Sequence, residues 1–207
     1  MLFWPFFLIL AIMKDEKKFR LAIFASGRGT NAEAIMKYFQ HHPSIEVGLL
    51  LSNNPSAGAL NQAHKFQVPT KVFDRVQFRE SGVVMKWLND AKITHLVLAG
   101  FLWLVPQEIL KAFPNKIINI HPALLPKFGG KGMYGNKVHE SVISSGEKET
   151  GITIHVVNEH FDEGKILFQA ACAIEPGDDI DMIVQKVHAL EHAHFPKVIE
   201  QWISGTI

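Results

Sequence analysis

Short runs of consecutive apolar residues alternate along this chain with stretches in which apolar positions recur every three to four residues. The runs at 21–25 (LAIFA), 45–51 (IEVGLLL), 94–99 (THLVLA) and 116–120 (KIINI) are of strand length and largely apolar. They predict strands buried on both faces, with a shorter strand around 71–73. Between them, 32–40, 57–66, 77–91 and 106–113 carry the helical period, the last opening on Pro106, which suits a helix start. The alternation predicts an α/β fold with a doubly wound, mostly parallel sheet. Beyond residue 150 the pattern changes. Residues 151–158 (GITIHVVN) alternate with period two, 165–174 (KILFQAACAI) read as another strand, and 159–164 are a loop of hairpin length. An antiparallel pair is therefore expected to extend or cap the sheet in the C-terminal part. Asp178 is expected to cap a long last helix reaching about Trp202. Nothing between these elements reads as a linker, so 19–207 is expected to be a single domain.

Composition narrows the function classes. With 47% hydrophobic and 20% charged residues, a packed core is expected rather than disorder. The formal net charge is +1 and there is no long basic block, so attraction to nucleic acid is not indicated. The single cysteine, Cys172, excludes an intrachain disulfide and fits a reducing cytoplasm. Residues 1–13 (MLFWPFFLILAIM) are uncharged and apolar, but shorter than the roughly 20 residues a membrane span needs. The positive charges Lys14, Lys17, Lys18 and Arg20 follow this stretch instead of preceding it as in a secretory signal. A membrane anchor is the alternative. The favoured expectation is that Met13 is the true start and that 1–18 is an extension outside the fold.

Three segments carry candidate chemistry. In 117–126 (IINIHPALLP), strand alternation puts Asn119 and His121 on one face, and Pro122 ends the strand at once. An amide and an imidazole are thus held at the carboxyl end of a buried strand, where open α/β sheets bind ligands. The turn 26–31 (SGRGTN) leads from the first strand into a helix whose amino end suits an anion such as phosphate. It matches neither the P-loop nor G-x-G-x-x-G, Ala32 standing at the third glycine. In the hairpin loop, Asp162 reaches His121 if the loop folds over the sheet edge, and a carboxylate there favours the imidazolium. Asn119, His121 and Asp162 would then suit acyl transfer: a donor for the oxyanion, a proton relay, and an orienting carboxylate that accepts protons through water. No serine sits in a nucleophile elbow, so direct attack by a substrate amine is favoured over a covalent intermediate. His188-Ala189-Leu190-Glu191-His192 spells H-x-x-E-H, with both histidines on one helix face, but no clear third zinc ligand follows in the few residues that remain. No metal is expected, and Glu191 is better read as an acceptor for sugar hydroxyls. The segment 100–106 (GFLWLVP) is either buried core or a wall for a flat heterocycle.

Taken together, SGRGTN, LAGFLWLVP, NIHPALLP, HVVNEHFDEG and ALEHAHFP, in this order from about Phe19 to Trp202, resemble the phosphoribosylglycinamide formyltransferases of purine synthesis. The resemblance implies the Rossmann-like formyltransferase fold and formyl transfer from 10-formyltetrahydrofolate, as co-substrate, to the amine of glycinamide ribonucleotide. It implies that Asn119, His121 and Asp162 are catalytic, that Gly29, Thr30 and Asn31 hold the phosphate, and that Glu191 binds the ribose. The pterin would meet Trp103, Leu104, Val105, His160 and Phe161. The implied partners are these small molecules, not nucleic acid or membrane, with the enzyme a cytoplasmic monomer or homodimer. Three positions depart from the family pattern. Trp103 replaces a basic residue that meets the folate tail, and Ala123 replaces a serine. The loop 128–136 (FGGKGMYGN) is longer and richer in glycine, is expected to be able to cover the site, and brings Lys131 as a substitute positive charge. The readings to be separated are this enzyme, a formyltransferase for another amine or for water, and a silent nucleotide-binding relative.

Overall fold

In the computed structural model, residues 19–207 are described; the apolar stretch 1–13 and the remainder of the expected 1–18 extension lie outside the described residues. The chain runs β1 (Phe19–Phe24), α1 (Thr30–Phe39), β2 (Ile45–Ser52), α2 (Gly58–Lys65), β3 (Thr70–Val72), α3 (Arg75–Arg79), α4 (Val83–Asp90), β4 (His95–Leu98), α5 (Gln107–Ala112), β5 (Ile117–His121), α6 (Asn136–Ser144), β6 (Glu149–Val156), β7 (Ile166–Ala173) and α7 (Ile180–Ser204). One sheet has the order β3-β2-β1-β4-β5-β6-β7. Its first five strands are parallel, while β6 and β7 add antiparallel to β5. The α/β, doubly wound reading and the antiparallel extension are both met.

Two apolar layers account for the unbroken hydrophobic runs. Leu21, Ile23, Ile118 and Ile120 face α1, α2 and α7, whereas Ala22, Phe24, Leu96 and Ile117 face α3, α4 and α5. On that second face β5 continues from Ile117 into Asn119 and His121, so the apolar layer gives way to polar groups at the strand's carboxyl end. The strand order reverses between β1 and β4, which places a crevice above their carboxyl ends.

Three local expectations are corrected. The helix expected over 77–91 is two, α3 and α4, separated at Ser81 and Gly82. Asp74 closes a capping box with Gln77, and Gly82 takes the left-handed φ of 65° that starts α4, so local capping overrides a continuous helical period. The last helix is capped by Asp179, which accepts from Met182 N, not by Asp178. Asp178 instead accepts from Glu175 N and pairs with Lys186. Helix α6 was not foreseen: its buried positions are only Val138, His139 and Val142, too few for a clear period.

Candidate active site

The turn after β1, the segment after β4, the end of β5, the loop before α6, the β6–β7 loop and α7 surround one cleft of about 680 Å³. All the residues expected to bind or react line it: Gly29, Thr30, Asn31, Trp103, Leu104, Val105, Asn119, His121, His160, Phe161, Asp162 and Glu191.

At the amino end of α1, Gly29 has φ 81° and the helix carries no side-chain cap, so its first N–H groups are not taken by a capping side chain. A Cβ on Gly29 would lie 2.4 Å from Ala59 Cα, so α2 packs directly on this turn and only glycine fits. Asn31 donates from Nδ2 to Glu191 Oε2 at 2.9 Å, tying the start of α1 to α7. Glu191 is 5% exposed, and burial pushes its carboxyl up to about 7, against which the Asn31 hydrogen bond acts weakly.

The polar cluster at the carboxyl end of β5 lies two strands from β1, across β4, the strands themselves being about 10 Å apart at the usual spacing. Asp162 sits in the β6–β7 loop with φ 59°, a left-handed conformation that aspartate tolerates. The turn reaches it because Gly164 lets the returning chain pass Val156: a Cβ there would stand 1.6 Å from the Val156 carbonyl oxygen. His121 Nδ1 is 3.5 Å from Asp162 Oδ2, and Asn119 Nδ2 is 3.4 Å from Asp162 Oδ1. Gly130 N donates to Asp162 Oδ2 at 2.9 Å. His121 Nε2 bonds the Phe128 carbonyl at 2.8 Å and is therefore the protonated nitrogen.

The sequence reading missed His155. It lies 3.0 Å from Asn119 Nδ2 and 3.5 Å from Asp162 Oδ1 through Nε2, while its Nδ1 bonds the Val156 carbonyl. The signal was the alternation in 151–158, which sets Thr153 and His155 opposite Ile152 and Ile154, but which face met the site depended on register. In β5–β6, Asn119 pairs with His155 and His121 with Thr153. Thr153 in turn holds the 122–126 segment, donating to Ala123 O and accepting from Leu125 N.

Burial lowers the pKa of His121 and outweighs Asp162, which raises it as expected of a neighbouring carboxylate, and the Phe128 carbonyl, which also raises it. For Asp162, burial acts upward, but His155, His121 and the Gly130 N–H together hold the carboxyl below its usual range. A neutral imidazole thus faces an ionised carboxylate. Nδ1 is the nitrogen able to take a proton, and the imidazolium so formed would sit between two acceptors.

In the segment after β4, Trp103 packs edge-on against Phe73 and beside Phe78, with the Arg75 guanidinium 5.1 Å over its ring. A cation therefore lies next to the position where the resemblance leads one to expect a basic residue. Residues 130–136 of the glycine-rich loop, Lys131 among them, line the cleft, and two of the loop's backbone groups bond His121 and Asp162. Ala123 is fully buried against Val138 and Val142. The His188 and His192 rings stack 6.1 Å apart, and Glu191 Oε2 is 4.0 Å from His188 Nε2. Among the described residues, no group of three or more His, Cys, Asp or Glu is placed to hold a metal ion.

The sequence profile of the formyl transferase family matches residues 19–199. The chain is 36% identical over 191 residues to the chloroplastic phosphoribosylglycinamide formyltransferase of Arabidopsis thaliana, covering 89% of this chain and 65% of that protein. It thus spans just under two thirds of the plant relative's length. It is 35% identical to the phosphoribosylglycinamide formyltransferase of Bacillus subtilis, covering 89% of this chain and 94% of that one. The crystal structure of glycinamide ribonucleotide transformylase 1 from Symbiobacterium toebii superposes with a TM-score of 0.83 at 30% identity, covering 91% of this chain and 89% of that one. A profile spanning most of the chain and a shared architecture converge with the polar cluster at the end of β5: this chain belongs to the formyl transferase family.

Proposed function

We propose that the protein transfers the formyl group of 10-formyltetrahydrofolate to the amine of glycinamide ribonucleotide in purine biosynthesis. The observation that carries this reading is one cleft joining an uncapped helix end and Glu191 to the Asn119–His121–His155–Asp162 cluster. A ribonucleotide whose phosphate meets Gly29, Thr30 and Asn31, and whose ribose hydroxyls meet Glu191, brings its amine toward the cluster. The folate enters along Trp103, Leu104 and Val105, with His160 and Phe161 opposite. Arg75 and Lys131 supply positive charge for its carboxylates.

The amine attacks the formyl carbon, a C–N bond forms, and the carbonyl oxygen becomes an oxyanion. Asn119 Nδ2 carries two hydrogens, and its 3.4 Å contact to Asp162 is the weaker, so that hydrogen turns to the oxyanion. The amine proton passes to His121 Nδ1, directly or through water held by Asp162, and the imidazolium is stabilised by Asp162 and the Phe128 carbonyl. Collapse breaks the bond to N10 of the folate, which takes up the proton, so charge and atoms balance without a metal.

Residues 19–207 act here as one formyltransferase domain and 1–18 as an extension. The enzyme works on small molecules, in the cytoplasm, as a monomer or homodimer. No helix among the described residues is long and apolar enough to cross a membrane.

The test is spectroscopic: purified protein is mixed with 10-formyl-5,8-dideazafolate and glycinamide ribonucleotide, and release of the deformylated analogue is followed. Release that requires the ribonucleotide and disappears in Asp162→Asn is the expected result. Release without ribonucleotide would indicate a deformylase. Binding of both ligands without release would indicate a silent relative.

A further inference from the structure

Among the cleft residues that the catalytic scheme leaves without a task, His139 carries a buried polar atom with no partner. It lies on α6, is 4% exposed and lines the cleft. Its Nδ1 is enclosed and has no hydrogen-bond partner. Buried side-chain nitrogens are nearly always paired, and an orphaned buried N–H is rarer than an orphaned lone pair. The ring therefore carries its proton on Nε2, the only polar atom it can offer the cleft. Thr150 Oγ1, the other unpartnered buried side-chain atom among the described residues, does not line the cleft and has no comparable claim.

The surroundings place the ring between the two halves of the site. Burial, then His188 on α7 and His121 on β5, push its pKa down to about 4, so it stays a neutral donor over the working range. His188 adjoins Glu191 and His121 adjoins Asp162, so His139 lies within the electrostatic reach of both halves. Packing alone would be served by an aliphatic residue, as at its helix neighbours Val138 and Val142, which are buried against Ala123.

We propose that His139 is a substrate-binding residue whose Nε2–H donates to the carbonyl oxygen of the amide that joins the glycyl amine to the ribose. That carbonyl is the acceptor between the amine and the sugar, and it lies where a donor is waiting. The bond fixes the short glycyl arm and so the approach of the amine to the formyl carbon. This inference rests on the reading of the protein as a glycinamide ribonucleotide formyltransferase.

The test titrates glycinamide ribonucleotide calorimetrically into the full chain without folate, and measures both KM values, for wild type, His139→Leu and His139→Gln. His139→Leu is expected to weaken ribonucleotide binding and raise its KM about tenfold, as for one buried neutral group left unpaired. The folate KM should not move and the thermal midpoint should not fall, since an unpaired buried atom is removed. His139→Gln, which keeps an N–H donor, should restore most of the affinity. Unchanged affinity in His139→Leu, or equal impairment of Leu and Gln with both KM values rising together, would overturn the inference by making the ring a packing element. His139→Met gives the same comparison if the leucine variant is insoluble. Wild-type protein that neither binds nor formylates the ribonucleotide would sink the functional reading itself. Wild-type binding that His139→Leu leaves intact would sink the role of His139 alone.

Discussion

Glu191→Gln should make the protein more stable and less useful at the same time, with a pH dependence that identifies the cause. The carboxyl is 5% exposed and its pKa is raised from 4.5 to about 7, burial being the main reason. A carboxyl with a raised folded-state pKa binds its proton more tightly when folded. Its contribution is therefore fully present below the unfolded value and is lost as pH rises through the folded one. Between about pH 4.5 and pH 8 the wild type should lose about 3 kcal/mol through this one group. Glutamine keeps an oxygen to accept from Asn31 Nδ2, the 2.9 Å bond of the wild type, and carries no charge to desolvate. The advantage of Glu191→Gln over wild type should grow by that amount, about 6–12 °C in thermal midpoint for a chain of this size. The assay is thermal or urea unfolding of both proteins, ligand-free, in half-unit steps from pH 5 to pH 8; groups common to both cancel in the difference. A difference that stays constant across this range would refute the reasoning, since it would mean that Glu191 ionises folded as easily as unfolded. Saturating ribonucleotide should narrow the gap, because ribose hydroxyls donate to the carboxylate and favour its charged form.

Other expectations follow from the same geometry. Asn119→Ala should lower kcat about 10²- to 10³-fold, the usual cost of an oxyanion donor, while ribonucleotide titration shows binding retained; a drop in affinity with unchanged kcat would contradict the assignment. The acid limb of kcat, read with both substrates saturating so that Glu191 is already engaged by the ribonucleotide, should fall below 6.5, because burial lowers the pKa of His121 and the neutral ring is the form that takes the amine proton; a limb above that value, read from a pH–rate profile, would count against the relay. Gly164→Ala should cost several kcal/mol or prevent folding, since its Cβ would stand 1.6 Å from the Val156 carbonyl oxygen, measurable as a lowered urea midpoint.

What the sequence determined by itself is what local pattern and residue chemistry control. Both faces of β1, β2, β4 and β5 are covered by helices, so each strand had to be apolar throughout and was recognisable as such. Asn119 and His121 had to share a face because strand geometry alternates, and Pro122 had to end the strand there. Where local signals competed, the reading slipped. The capping box at Asp74 and the turn at Gly82 divided one helical period into α3 and α4, and Asp179 took the cap expected of Asp178. Tertiary structure alone decided the rest. His155 entered the site because β6 pairs with β5 in the register that sets it against Asn119, and a shift of one residue would have turned it to the other face. His121 and His139 resist protonation and Glu191 resists ionisation because of desolvation, which depends on everything packed around a side chain and is written in no single stretch of the chain.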